Sequence, residues 1–138
     1  MRFSFLLLIV LGISLVFYLS WVPSPYMRVV WFLPGWVARW ADVGKNADLR
    51  TAVPFVFLGF CSGFMLFRSQ AAWFWWLFAC FGLTLVAVIA EVGQLALPHR
   101  HFSWTDIQWG AAGSVLGMMG ALIVGFVSRQ FRIGNPSE

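Results

Sequence analysis

The sequence predicts an all-α, polytopic membrane protein: four transmembrane helices with an interfacial segment in the first loop. Three observations predict it. Of the 138 residues, 61% are hydrophobic and 10% charged, whereas soluble domains carry about a quarter charged residues. The apolar residues gather into four runs, each near the roughly 20 residues that a helix needs to cross a bilayer core. Clusters of charge and proline separate the runs, and the length left over is too short for a soluble domain, so a single domain over residues 1–138 is expected.

The first run, Phe3 to Val22, is unbroken and ends at Trp21 and the pair Pro23 and Pro25. It is long for the core of a signal peptide and has no small-residue cleavage site, so a retained helix is expected. From Pro23 to Thr51 the chain turns mixed, with Arg28, Arg39, Lys45, Arg50, Asp42 and Asp48. Within this long loop, Val29 to Trp40 holds Trp31, Phe32, Leu33, Trp36, Val37 and Trp40, broken by Pro34 and Gly35, a pattern suited to the headgroup layer. The second helix is expected from Ala52 to Phe67, with Thr51 as N-cap and Pro54 in the first turn. Arg68 ends it, and Ser69 to Ala71 form a tight link. The third helix opens on the aromatic belt Trp73, Trp75 and Trp76 and continues toward Leu97 before Pro98. After a loop from Pro98 to Thr105, the fourth helix is expected from Asp106 to Val127, leading into Ser128, Arg129, Arg132 and a polar tail.

Four crossings place the Pro23 to Thr51 and Pro98 to Thr105 loops on one side of the membrane. The other side keeps Arg2, Arg68, Arg129 and Arg132, against five basic residues on the loop side, so basic-residue bias is nearly balanced. Both termini are placed in the cytoplasm. The net charge of +4 does not point to nucleic acid, because the basic residues are scattered singly and form no stripe. Cys61 and Cys80 sit inside apolar runs, where small buried side chains are expected rather than a disulfide framework.

A glutamate in an apolar helix costs about 2.5 to 3.5 kcal/mol at the helix centre on insertion scales, so Glu91 needs a reason to be there. It lies about 28 Å along the third helix from Ala72, near the far interface rather than the midplane. Glu91 and Gln94, at i and i+3, share one face; Arg100 follows at the same interface, and Asp106 opens the next helix. Together they form a candidate pocket for a polar headgroup, with Lys45, Arg50 and Arg100 as its cationic wall. Plainer readings stand beside this one. Ser103 to Asp106 reads S-x-x-D, a cap for the fourth helix. Arg100 fits a snorkelling anchor or the internal partner of Glu91. His99 and His101 form H-x-H in a loop, which is too little for a metal site, and no metal or cofactor is expected. No nucleophile elbow, zinc-protease motif or phosphate loop is present, so an enzyme would have to work with interfacial carboxylates and histidines, Glu91 foremost.

On the fourth helix Gly110, Gly113, Gly117 and Gly120 fall along one face, with Gly113 to Gly117 forming G-x-x-x-G. Such a face lets a neighbouring backbone approach closely. The third helix is the expected partner, with self-association as the alternative.

From Glu91 to Gly117 the chain reads E-x-x-Q, then Arg100, then Asp106, then G-x-x-x-G, and this resembles the VanZ-like family of small bacterial integral membrane proteins. The family's glutamate, glutamine, arginine and aspartate map onto Glu91, Gln94, Arg100 and Asp106, and its glycines onto Gly113 and Gly117. The chain departs at Gly110, where an asparagine is usual. It departs again before the second helix, where D-K-x-x-H is replaced by Gly44, Lys45, Asn46, Ala47 and Asp48. The resemblance implies a multi-pass protein of the bacterial cytoplasmic (inner) membrane and a part in envelope biology, the founding member being associated with low-level teicoplanin resistance. It implies no reaction. Three classes of function follow: an envelope protein binding a lipid-linked or anionic headgroup, an interfacial enzyme acting on a lipid-borne substrate, and a small subunit docking a membrane-protein partner.

Overall fold

The computed structural model describes residues 2–22, 26–98 and 100–134. All regular structure in it is helical: α1 (Arg2–Trp21), α2 (Gly35–Ala41), α3 (Ala47–Arg68), α4 (Trp73–Gln94) and α5 (Trp104–Gly134). Helices α1, α3, α4 and α5 are each long and apolar enough to cross a membrane. Their outward side chains are apolar, as at Phe3, Phe81 and Ile123, which suits lipid contact. The breaks at Pro23 and Pro25, the residue His99 and the polar tail from Asn135 lie outside the described residues, as do the side chains of Arg2, Lys45 and Arg132.

Several helix boundaries differ from the sequence reading, and α4 ends at Gln94, short of Leu97. Helix α3 begins at Ala47 rather than Ala52, so Thr51 lies inside the helix and is not its N-cap. Asp48 sits in the first turn, where a carboxylate complements the helix dipole, and a charged stretch can therefore be helical. Pro54 is then in the helix interior, and without an N–H it offers no donor to the Arg50 carbonyl one turn earlier. Helix α5 starts at Trp104 and continues to Gly134. Hydropathy falls at Ser128, but good helix formers such as Arg129 and Gln130 carry the helix onward.

The fourth span packs mainly on the second, not on the third. Helices α3 and α5 run parallel, with Gly113 and Gly117 facing Ala52 and Val56. A Cβ at Gly113 would stand 2.6 Å from the Ala52 carbonyl oxygen, and one at Gly117 would meet the Val56 carbonyl and the Phe60 amide. The partner helix answers with its own G-x-x-x-G: a Cβ at Gly59 would strike the Ser114 backbone, and one at Gly63 would lie 3.0 Å from Met118 Cα. Periodicity shows which face is small but not what it meets, and the Gly59 to Gly63 repeat is the signal that the sequence reading left unused. Among the described glycines of α5, Gly110 is the one that reaches α4, its absent Cβ 3.0 Å from Ala87 Cβ and 3.3 Å from the Phe55 ring of α3.

Helix α1 is attached differently. Apolar on all sides, it buries only Val16 among its described side chains. It meets α3 at Gly12 against Leu58 and at the tilted ring pair Phe5 and Phe64, 5.4 Å apart. At its C-terminal end the Trp21 indole donates to the Ala90 carbonyl of α4 (3.2 Å) and lies against Gly93, where a Cβ would strike the ring.

The long loop folds back over the end of α1. Met27, Val30, Ala38 and Ala41 are buried together against Leu19, Val22 and Leu33, while Trp31, at 88% exposed, and Trp36 point outward, as expected of an interfacial segment. Asp42 holds the fold-back: its Oδ1 accepts from the Met27 amide (2.6 Å) and its Oδ2 pairs with the Arg28 Nε at 3.3 Å.

Candidate functional site

The last turn of α4 carries Glu91 and Gln94, which are 4% and 6% exposed. Gln94 Nε2 donates to Glu91 Oε1 (3.0 Å), and the other oxygen, Oε2, accepts from the backbone N–H of Ser103 (3.1 Å). Ser103 stands just before α5 and its Oγ accepts from the Asp106 amide (3.2 Å). This is the forward half of a capping box; in the usual reciprocal half, the acidic residue three positions on reaches back to the cap residue's N–H. Here Glu91 takes that N–H from the neighbouring helix. The Asp106 carboxylate is thereby released from capping, and it stands within hydrogen-bonding reach of Thr51 and in the field of Arg50.

Arg100 lies in the loop between α4 and α5 and donates to the end of α1. Its Nη2 reaches the Leu19 and Val22 carbonyls, both at 3.3 Å, and its Nε the Val22 carbonyl at 3.4 Å. Carbonyls of a last helical turn lack intrahelical donors and favour a cation, so Arg100 ties the two loops to one end of the bundle. It acts on Glu91 through space. Burial draws the guanidinium below the usual arginine range and the nearby Arg50 adds to this, while Glu91 and Asp106 oppose it. An arginine remains charged under such shifts.

The structure thus brings Arg50, Glu91, Gln94, Arg100 and Asp106 to the polar end of one cavity of about 470 Å³, a size suited to a small ligand or part of a larger one. Lys45 belongs to the second of two 3₁₀ turns before α3, Gly44–Asn46, but its side chain, like all of His99, lies outside the described residues. His101 is exposed. Among the described residues, no group of three His, Cys, Asp or Glu is placed to hold a metal ion.

Two parts of the cavity went unread in the sequence. Its roof comes from the fold-back, with Met27, Leu33, Val37 and Trp40, and its outer wall from α1, with Gly12, Leu15 and Leu19. The alternation of Ala38 and Ala41 with Trp36 and Arg39 signals a short helix with a small inner face. No local pattern says that α1 faces a polar cluster some 70 residues further on.

A family model described as VanZ/LLP1 matches residues 3–125, a stretch that takes in the cavity and most of all four spans. No curated protein and no solved structure matches the chain.

Proposed function

This chain belongs to the VanZ/LLP1 family, and from that premise we propose that it is a bacterial cell-envelope membrane protein whose interfacial pocket binds a lipid-linked or anionic headgroup. The observation that carries this reading is the composition of this cavity, charged at one end and apolar along the rest. Its polar end offers guanidinium donors from Arg50 and Arg100 together with the Asp106 carboxylate. That set matches a headgroup carrying both a phosphate and hydroxyl or amine donors. The two guanidinium groups repel each other, so an anion placed between them relieves a like-charge contact. On this reading the protein resides in the cytoplasmic membrane with both termini inside, the pocket lies at the outer interface, and any effect on glycopeptide resistance follows from capturing an envelope lipid.

Both oxygens of Glu91 are engaged by donors of the protein itself. This favours a positioning role for Glu91 over acid–base catalysis. The glycine face, offered in the sequence as a docking surface, is used within the chain by α3.

Native mass spectrometry from mild detergent tests the proposal. Wild-type protein is expected to retain an anionic or lipid-linked species, and Arg50→Gln to lose it while still folding. Retention at the wild-type level in both Arg50→Gln and Asp106→Asn would overturn the assignment.

A further inference from the structure

The cavity has a floor, and the floor has a depth. Helices α1 and α3 touch at Gly12, where an added Cβ would stand 2.6 Å from Leu58 Cδ2, and Leu58 is fully buried. Beyond that point toward the N-terminus of α1, the Phe5 and Phe64 rings close the same seam. On the loop side of Gly12 both helices line the cavity. Leu15 of α1 and Val53 and Phe57 of α3 line the cavity, yet they are 41%, 56% and 50% exposed. The same side chains therefore face the cavity and the membrane, which makes the space between α1 and α3 a sideways opening. The aqueous side is covered by Met27, Val37 and Trp40 of the fold-back, which Asp42 holds shut.

From Trp21 to Gly12 is nine residues, about 14 Å of helix, or roughly half of a bilayer core near 30 Å. The apolar part of the cavity thus spans one leaflet and ends at mid-membrane, while its polar end sits at headgroup level. We propose that one hydrocarbon chain of an anionic lipid enters between α1 and α3 from the loop-side leaflet, with its headgroup against Arg50, Arg100 and Asp106 and its chain stopping at Gly12 and Leu58. This rests on the headgroup reading above and adds the ligand class, the leaflet and the route. Lipid tails are as apolar as the cavity wall, so burying the chain gives little net affinity in a membrane. Headgroup contacts supply the binding, and the opening decides which molecules reach them: those that arrive from the membrane.

The experiment uses the full chain in vesicles containing phosphatidylglycerol with a photoactivatable group at mid-chain. Cross-links are expected within residues 12–19 and 53–58. They should be lost in Val53→Trp and in Leu15→Trp, both outward-facing positions that tolerate a larger side chain, and kept in Leu8→Trp, on the far side of the floor. Thermal unfolding of each variant, alike within error, shows that the loss reflects blocked access and not misfolding. Retention of phosphatidylglycerol in native mass spectra, abolished by Arg50→Gln but with cross-links unaffected by either blocking variant, would overturn the sideways route and leave the polar pocket standing. Absence of retained phosphatidylglycerol and of cross-links in the wild type would overturn both.

Discussion

Helices α3 and α5 meet backbone to backbone through two glycine repeats, whereas α1 and the fold-back above it are held by side-chain tips and a few polar straps. Helices in lipid gain little from hydrophobicity, so close packing of small residues is the main way to hold them together. The first region uses that route from Ala52 to Gly63 of α3, and further along it meets through rings such as Phe67 and Phe126. The second uses it at Gly12 and Gly93, and otherwise relies on Trp21 to Ala90, Arg100 to Leu19 and Val22, and Asp42 to Met27 and Arg28. The candidate site lies on the seam between them. A rigid half thus presents the charged groups of α3, α4 and α5, and a less tightly joined half supplies the wall and the roof.

The largest effect is expected within the rigid pair. Gly117→Leu should prevent stable folding, and even Gly117→Ala should cost about 3 kcal/mol or more, because the new Cβ meets main chain that cannot turn aside. Gly82→Ala is the contrast: nothing lies within 4 Å of its Cβ position, and helix propensity predicts a gain of up to about 1 kcal/mol. Thermal unfolding in detergent ranks them, and similar midpoints for the two alanine variants would show that the contact of α5 with α3 does not depend on glycine at position 117. Gly125→Leu should fall between, since its obstacle is the Phe67 ring, which can rotate.

Glu91→Ala comes next. It leaves the Ser103 amide and the Gln94 side chain without their acceptor, at a cost of about 1 to 3 kcal/mol. Hydrogen exchange should quicken from Leu95 to Ile107 while α3 stays protected; protection unchanged at Ser103 would show that Glu91 does not hold the start of α5. Asp42→Ala should cost about 1 to 2 kcal/mol, felt only in the fold-back. Faster proteolysis between Met27 and Ala41 with an unaltered unfolding midpoint is the expected pattern, and a lowered midpoint for the whole bundle would mean that roof and rigid pair are one unit. Gly12→Ala should be the mildest, below about 1 kcal/mol, because the neighbour is the flexible end of Leu58 and α1 has room to shift. A loss as large as that of Gly117→Ala would place α1 among the tightly packed helices.

Much of this was legible in the residues. The four apolar runs and their proline breaks locate the spans, and Glu91, Gln94, Arg100 and Asp106 declare themselves by being polar where polarity is expensive. The partner of the fourth span was misread because small residues name a face and not its occupant, although Gly59 and Gly63 were in plain view. The bond from Ser103 to Glu91 was not legible at all. S-x-x-D looks like a self-contained cap, and only the packing of α4 beside α5 shows that the second half of the box comes from another helix. The early start of α3 was hidden by charge, since Asp48 and Arg50 read as loop although Asp48 suits a first turn.

A parallel helix pair built on two four-residue glycine repeats resembles a rack with evenly spaced teeth: the next tooth lies about 6 Å further along the axis. Small residues let the two backbones approach closely but do not fix the register by themselves. The hydrogen bond from Ser103 to Glu91 exists at one setting only. It works as a pawl, fixing how far α5 stands along the membrane normal and with it the depth at which Asp106 meets Arg50. A bilayer that thickens or thins pulls on the long α5 helix against that catch and against the reach of Asp106 to Thr51, so both contacts hold the depth of the charged end.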